Sequence, residues 1–489
     1  MKDERSGLLP ALGVFTTMMV VIGGVIGSGV FRKSGVMALQ LGSPTVLLGV
    51  WVLAGVITMF GTLATAEISG MIPETGGQYV YFERIYGPFV AYLYGWGVFA
   101  VIQTASIAAL AYVFAEFSTY FVPLGDLGPK AAAWAIHLPF IGDVRPFHEF
   151  GVKVFAVGVI VVLTAVNYVG VRAGGIVQDV FSVAKIVGML LLLLGMFLPS
   201  SGGSVAHLTT ASTAIQKHGL EMVMAVAAAL QGAFWAYDGW IKASYIAGEI
   251  RNAQHVLPRA TVYGMLVVTA LYLLMNLGYC WVLPVDEMAK SKLVAADAAE
   301  KVFSGGAKWI ALVVMISTFG ANNAVVLSSA RVYFAMAQRN VFPAFFGRVH
   351  QRFHTPGASL IAQAAWASAL VFSGSFDMLT DTLIFVAWIS YGLGVLGVFV
   401  LRRREPDAPR PYKVPGYPWV PGIFVIFAAV FLFLTIYNDV MNYRAAVAAG
   451  KPGLINCAFG TGLVLIGAPI YFFYRARQKT LCAPASSAS

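Results

Sequence analysis

Ile22-Gly23-Gly24-Val25-Ile26-Gly27-Ser28-Gly29-Val30-Phe31 lies within the apolar stretch 12–37, which is long enough to cross a bilayer. Four glycines fall in the seven positions from 23 to 29, and each costs about 1 kcal/mol of helix propensity relative to alanine. A run of this kind in mid-membrane favours an interrupted helix. Its unwound N–H groups, with the positive end of the following half-helix, form a receptor for a carboxylate. The same small residues also suit close helix packing, so the segment by itself leaves both readings open.

The surrounding sequence is that of a membrane protein. Hydrophobic residues make up 59% of the chain, charged residues 11%, and the mean hydropathy is +0.78, far from ordinary soluble domains. Apolar stretches fall at 12–37, 44–70, 88–122, 151–171, 176–198, 221–247, 259–283, 307–336, 357–373, 379–401, 419–438 and 453–474. The polar start, Met1 to Pro10, leads into apolar runs without a small-residue cleavage pattern, so no removable signal peptide is expected. With the N-terminus inside, 19 Lys and Arg against 8 acidic residues face inward, and 12 against 11 face outward. The net charge of +10 is thus a topology signal and not a nucleic-acid footprint, and it places both termini in the cytoplasm. Arg402, Arg403, Arg404, Arg410 and Lys413, with Arg331, Arg339, Arg348 and Arg352, read as topology determinants.

Three further features break the rules of a lipid-solvated helix. Phe234-Trp235-Ala236-Tyr237-Asp238-Gly239-Trp240 puts a carboxylate beside glycine in the middle of the sixth stretch. A mid-bilayer carboxylate costs about 2.5–3.5 kcal/mol, so it must face a cavity or a partner. A second broken helix is expected there, five helices after the first, as in two inverted five-helix repeats with a midplane site between them; the aromatics also suit a packed bundle interior. Lys185 lies about ten residues into the fifth stretch, roughly 15 Å deep and too far to snorkel. An interrupted helix supplies unpaired carbonyls for such an ammonium, so Lys185 is expected to stand where a sodium-coupled relative holds its metal ion and to fix the first helix against the eighth. A salt bridge to Asp238 is the alternative. Glu67 and Glu116 read as interfacial. All seven histidines fall in expected loops, no Gly-Lys-Ser/Thr phosphate loop occurs, and Cys280, Cys457 and Cys482 have no metal-type spacing. These features give no support to a membrane enzyme or an ATP-driven pump.

The order of motifs resembles the amino acid-polyamine-organocation superfamily, and within it the L-type amino acid transporters. The motifs are Gly23 to Phe31, Ala66-Glu67, Pro73-Glu-Thr-Gly-Gly-Gln-Tyr-Val-Tyr81, Phe234 to Trp240, Gly248-Glu-Ile-Arg-Asn252, Pro258-Arg-Ala260, Ser328-Ser-Ala-Arg331 and Arg410-Pro-Tyr-Lys-Val-Pro-Gly-Tyr-Pro418. The resemblance implies an all-α integral membrane protein of about 12 helices, with two inverted five-helix repeats in a sodium-symporter-like fold plus two C-terminal helices. It divides the chain into a cytoplasmic N-terminus (1–11), repeats at 12–198 and 221–401, a final pair at 419–474 and a cytoplasmic tail (475–489). It also implies that amides around Gly27, Ser28 and Gly29 hold a substrate carboxylate, and that carbonyls near Ile22 and Trp235 hold its ammonium. By the same resemblance Trp235 is an aromatic gate and Lys185 replaces the sodium ion.

The expected substrate-binding residues are Ile22, Ile26, Gly27, Ser28, Gly29, Trp235, Tyr237, Asp238 and Gly239, with no metal or other cofactor. Asp238 replaces the small residue of many L-type members; it favours small polar or cationic cargo, or pairs with Lys242. The heavy-chain cysteine of animal relatives has no counterpart in the 123–150 loop, so no disulfide-linked partner subunit is expected. The expected activity is sodium-independent L-amino acid transport in the cell membrane, by exchange of small neutral amino acids through alternating access. Proton-coupled symport and a cationic amino acid or polyamine carrier are the alternatives.

Overall fold

The computed structural model describes residues 8–138, 142–291, 293–373, 376–449 and 455–481. Among these, eleven helices are long and apolar enough to cross a membrane: Val14–Leu41, Pro44–Met71, Pro88–Ser118, Phe150–Val169, Val171–Met196, Gly219–Tyr237, Ala253–Val282, Gly306–Gln338, Thr382–Arg404, Trp419–Ala448 and Asn456–Ala476. The shorter apolar helix Gly357–Ser373 takes the ninth place, so all twelve expected stretches are helical. A two-stranded hairpin, Ile136–Leu138 with Gly142–Val144, is the one sheet among the described residues.

Local sequence explains the corners. The first span ends at Gly42, whose φ of 61° is left-handed, a conformation that glycine adopts without a Cβ penalty. Ser43 then caps the second span by accepting a hydrogen bond from the Val46 N–H at 3.4 Å, with Pro44 in the first turn. The third span changes pitch to a π-helix over Val98–Ile102, and the Phe99 carbonyl accepts a hydrogen bond from Thr104 Oγ1 at 2.7 Å. Neither this change nor the helix Gln78–Tyr86 between the second and third spans shows in the hydropathy pattern.

Helices are arranged by how much of themselves they bury. The most apolar windows of the third and eighth spans are each 78% buried, whereas the twelfth is 22% buried. The first, third, eighth and tenth spans, 67–78% buried, therefore form the interior, and the eleventh and twelfth, 28% and 22% buried, turn most of their side chains outward, as lipid-facing helices do.

One sequence expectation is corrected at the face where the second and tenth spans meet. Glu67 is not interfacial but buried, 1% exposed. Its carboxylate accepts hydrogen bonds from Arg402 at 2.6 and 2.9 Å and from the Val414 N–H at 2.7 Å, with Arg410 Nε 3.3 Å away. A carboxylate out of water needs such partners, and the end of the tenth span and the segment after it bring them, Arg402 from 335 residues away and Val414 from 347. Glu116 lies at a span end as expected, half-exposed and paired with Arg32 at 3.0 Å. Substituting Glu67 by alanine leaves Arg402 and Arg410 without their anion and is expected to destabilise the protein by about 3 kcal/mol. A thermal melt of the detergent-solubilised variant measures this; an unchanged melting temperature would refute it.

Candidate substrate site

The first span is broken as its glycines suggest. One half-helix ends at Val25 and the next begins at Gly29. Ile26 (φ −73°, ψ 92°) leaves the helical region while its N–H still donates to the Ile22 carbonyl at 2.9 Å. Beyond it, the amides of Gly27, Ser28 and Gly29 have no hydrogen-bond partner among the described residues. The Ser28 hydroxyl is also buried without a partner. Three N–H groups at the start of a thirteen-residue half-helix, beside an orphaned hydroxyl, present the donors that an anion requires.

Packing also contributes to the glycine pattern. A Cβ on Gly29 would lie 2.6 Å from Ala236 Cα, and one on Gly23 would lie 1.9 Å from Gln178 Nε2. A Cβ on Gly24 would meet only ordinary contacts, the nearest Ala324 Cβ at 3.4 Å, and one on Gly27 a tight contact with Leu110 Cδ2 at 3.2 Å. The run thus serves two ends at once, a helix break and a close approach of the first span to the fifth and sixth.

The sixth span breaks at Asp238, where the helix Gly219–Tyr237 stops and only a short turn, Lys242–Tyr245, continues. Gly239 adopts φ 118° and its missing Cβ would fall 2.6 Å from the Gly24 carbonyl oxygen, so only glycine lets the two breaks meet. The carbonyls of Val25 and Ala236 are drawn together by one hydroxyl, Tyr272 of the seventh span, at 3.1 and 3.0 Å. Trp235 is buried, and its carbonyl accepts from the Asp238 N–H at 3.3 Å. The Tyr237 ring packs on Trp51 and Tyr272 at centroid distances of 5.8 and 5.0 Å, with its hydroxyl toward Gly55. Of the nominated residues, Ile22, Ile26, Gly27, Ser28, Gly29, Asp238 and Gly239 are gathered at the double break, whereas the Tyr237 ring is directed toward the second and seventh spans.

Lys185 is fully buried and reaches the same point from the fifth span. Its ammonium donates to the carbonyls of Gly23 at 3.0 Å, Ile26 at 2.7 Å and Ser317 at 2.9 Å. An ammonium has three donors, and all three are used. Ser317 Oγ donates to the Ile26 and Gly27 carbonyls at 3.0 and 2.8 Å, tying the eighth span to the same turn. The cation therefore sits at the negative end of the first half-helix and joins spans one, five and eight. The alternative partner, Asp238, is occupied elsewhere: its carboxylate accepts from Tyr391 at 2.5 Å and lies 3.4 Å from the Lys242 ammonium. This pairing is one of the two roles expected of Asp238, and Lys242 is 2% exposed inside the bundle.

With this geometry in hand, likeness to known proteins becomes specific. Residues 12–462 match the amino acid permease family. The serine/threonine exchanger SteT of Bacillus subtilis is 31% identical over 93% of this chain and 97% of its own length. The chain belongs to the amino acid permease family. Other relatives are the b(0,+)-type amino acid transporter 1 of Homo sapiens, 29% identical over 88% of this chain and 84% of its own, and the Asc-type amino acid transporter 1 of Mus musculus, 27% identical over 98% and 84%. This permease is thus a multi-pass membrane protein of an amino acid transporting family.

Several groups at the permease site escape sequence reading. Ser317, Tyr272 and Tyr391 carry no spacing motif that separates them from the other hydroxyls and amides of their spans. A second polar network does leave a trace, in Asn322-Asn323 at mid-span. There Asn323 Nδ2 donates to Gln178 Oε1 at 3.0 Å, Asn167 Nδ2 donates to Asn323 Oδ1 at 2.9 Å, and Gln178 Nε2 donates to the Met19 carbonyl at 3.1 Å. This network holds the first half-helix against spans four, five and eight. Of the histidines expected in loops, His255 instead begins the seventh span, on its exposed end.

The face that carries the N-terminus holds a buried ion pair. Arg331 of the eighth span and Glu249, at the end of the sixth, are both 0% exposed and meet in two hydrogen bonds of 2.8 and 2.9 Å. The Glu249 carbonyl accepts from the Ala11 and Leu12 N–H groups at 2.9 Å, and the Arg251 N–H donates to the Leu12 carbonyl at 2.9 Å. Gly76 donates to the Tyr245 carbonyl at 2.9 Å from the other side.

Proposed function

We propose that this permease exchanges small neutral L-amino acids across the cell membrane without sodium, by alternating access, with both termini in the cytoplasm. The observation that carries the reading is the ammonium of Lys185, which saturates its donors on Gly23, Ile26 and Ser317, the carbonyls that a bound metal cation would otherwise share. The amides of Gly27, Ser28 and Gly29 with the Ser28 hydroxyl receive the cargo carboxylate, and carbonyls of the two breaks near Ile22 and Trp235 receive its ammonium. Trp235 closes over the cargo. The relative named for serine/threonine exchange supports cargo with a small side chain. In this reading the inverted repeats run over 12–198 and 221–401, the Arg331–Glu249 pair is the cytoplasmic seal, and no disulfide-linked subunit is required.

Cargo binding drives the cycle only by favouring one facing state over the other. The test is uptake of labelled serine, threonine and alanine into liposomes holding the purified protein, with and without sodium, a pH gradient and internal amino acid. Uptake that requires internal amino acid and ignores sodium and pH is expected. A requirement for sodium would refute the cation-substituting role of Lys185. Concentrative uptake into empty liposomes driven by a proton gradient would install the symporter in its place.

A further inference from the structure

The seam between the two breaks already contains a positive charge other than Lys185. Lys242 Nζ donates to the Gly24 carbonyl at 3.3 Å and lies 3.4 Å from Asp238 Oδ2, with the two side chains 2% and 5% exposed. The other carboxylate oxygen accepts from the Tyr391 hydroxyl at 2.5 Å. The backbone makes room for this ammonium, because a Cβ on Gly239 would stand 2.9 Å from it. A carbonyl of the first break and a carboxylate of the second are the groups that would otherwise draw in a cationic side chain of the cargo. Both are taken by a lysine of the chain itself.

We propose that Lys242 sets charge selectivity by neutralising Asp238, so that cargo with an uncharged side chain is accepted and cargo with a cationic one, such as lysine or arginine, is refused. The proposal rests on the amino acid transport reading above and adds the substrate class. A second ammonium brought beside Lys242 would meet a like charge in a water-poor site where screening is weak. With an uncharged residue at 242, Asp238 is a buried carboxylate without its cation, and a cationic side chain supplies the missing partner.

The experiment compares wild type with Lys242→Gln, Lys242→Arg and the double variant Lys242→Gln/Asp238→Asn, reading the ratio of arginine to serine uptake in liposomes. The ratio is expected to rise by about tenfold or more in Lys242→Gln, to stay at the wild-type level in Lys242→Arg, and to fall back in the double variant. Where a variant transports too slowly to measure, the shift in melting temperature produced by arginine against that produced by serine gives the same ratio for binding. A Lys242→Gln protein that is stabilised by serine and not by arginine overturns the proposal. So does a wild type that takes arginine as readily as serine, an outcome that leaves amino acid transport standing. A wild type that moves no amino acid refutes the transport reading itself.

Discussion

Substituting Lys185 by alanine is expected to lower amino acid exchange by at least about a hundredfold. The ammonium is 0% exposed and all three of its hydrogen bonds go to main-chain oxygens. Removing it takes the ammonium from the carbonyls of Gly23, Ile26 and Ser317 and leaves Ile26 with the Ser317 hydroxyl alone, at about 1–3 kcal/mol for each buried group left unpaired. These carbonyls belong to the broken turn and to the eighth span, so the cost falls on the conformation that assembles the site. A loss of about 3 kcal/mol there already exceeds a hundredfold in the occupancy of the competent state. Lys185→Met keeps most of the volume and none of the charge, and is expected to fail equally, which separates the ionic role from packing. The measurement is the initial rate of labelled serine exchange, made on protein that still elutes as a single species. A Lys185→Met rate within about threefold of wild type would show that the carbonyls need no cation.

The second large effect is expected at the seal. Arg331→Met leaves the Glu249 carboxylate buried beside an apolar side chain, an uncompensated charge worth about 3–5 kcal/mol. The Leu327 carbonyl also loses its hydrogen bond from Arg331, 2.6 Å in the intact protein. Opening this face to water relieves that cost, so the population shifts toward the conformation open on the N-terminal side. Exchange is expected to fall by about tenfold or more, since a cycle held in one state turns over slowly. A cysteine introduced at Ser328, fully buried one turn before Arg331, should become reactive to a water-soluble thiol reagent in the Arg331→Met background. Pairing Arg331→Met with Glu249→Leu removes both charges and should recover part of the closed population. Unchanged protection of the introduced cysteine in Arg331→Met would show that the pair does not hold the seal.

The parts of this protein that were legible in its sequence are those where membrane physics leaves few options. A bilayer demands long apolar helices, and the helical spans stand where hydropathy puts them. Glycines crowded into 23–29 and Gly239 beside Asp238 marked the breaks, because a helix in lipid is interrupted only at a cavity or a functional turn. A lysine as deep as Lys185 needed acceptors, and the carbonyls of a broken helix or the Asp238 carboxylate were the two candidates. The remainder depends on contacts between distant segments. Glu67 looked interfacial because its arginines come from the end of the tenth span. The pairing of Lys242 with Asp238 was one of two readings the sequence left open, and the 3.4 Å contact between them selects it. Ser317, Tyr272 and Tyr391 look like any other hydroxyl of their spans in the sequence, and their meaning appears only when the seam they bridge is seen.

The cation at the broken turn has an energetic corollary. A sodium ion that enters with cargo brings the free energy of its own gradient, whereas an ammonium tethered to the fifth span by covalent bonds stays where it is and delivers none. In the exchange reading, the outward run of one amino acid is then the sole power source for the inward run of another. For one-to-one exchange of cargo with no net charge, the accumulation ratio of the imported species is capped by that of the exported one. The membrane voltage, which acts only on charge moved across it, adds nothing to that ceiling.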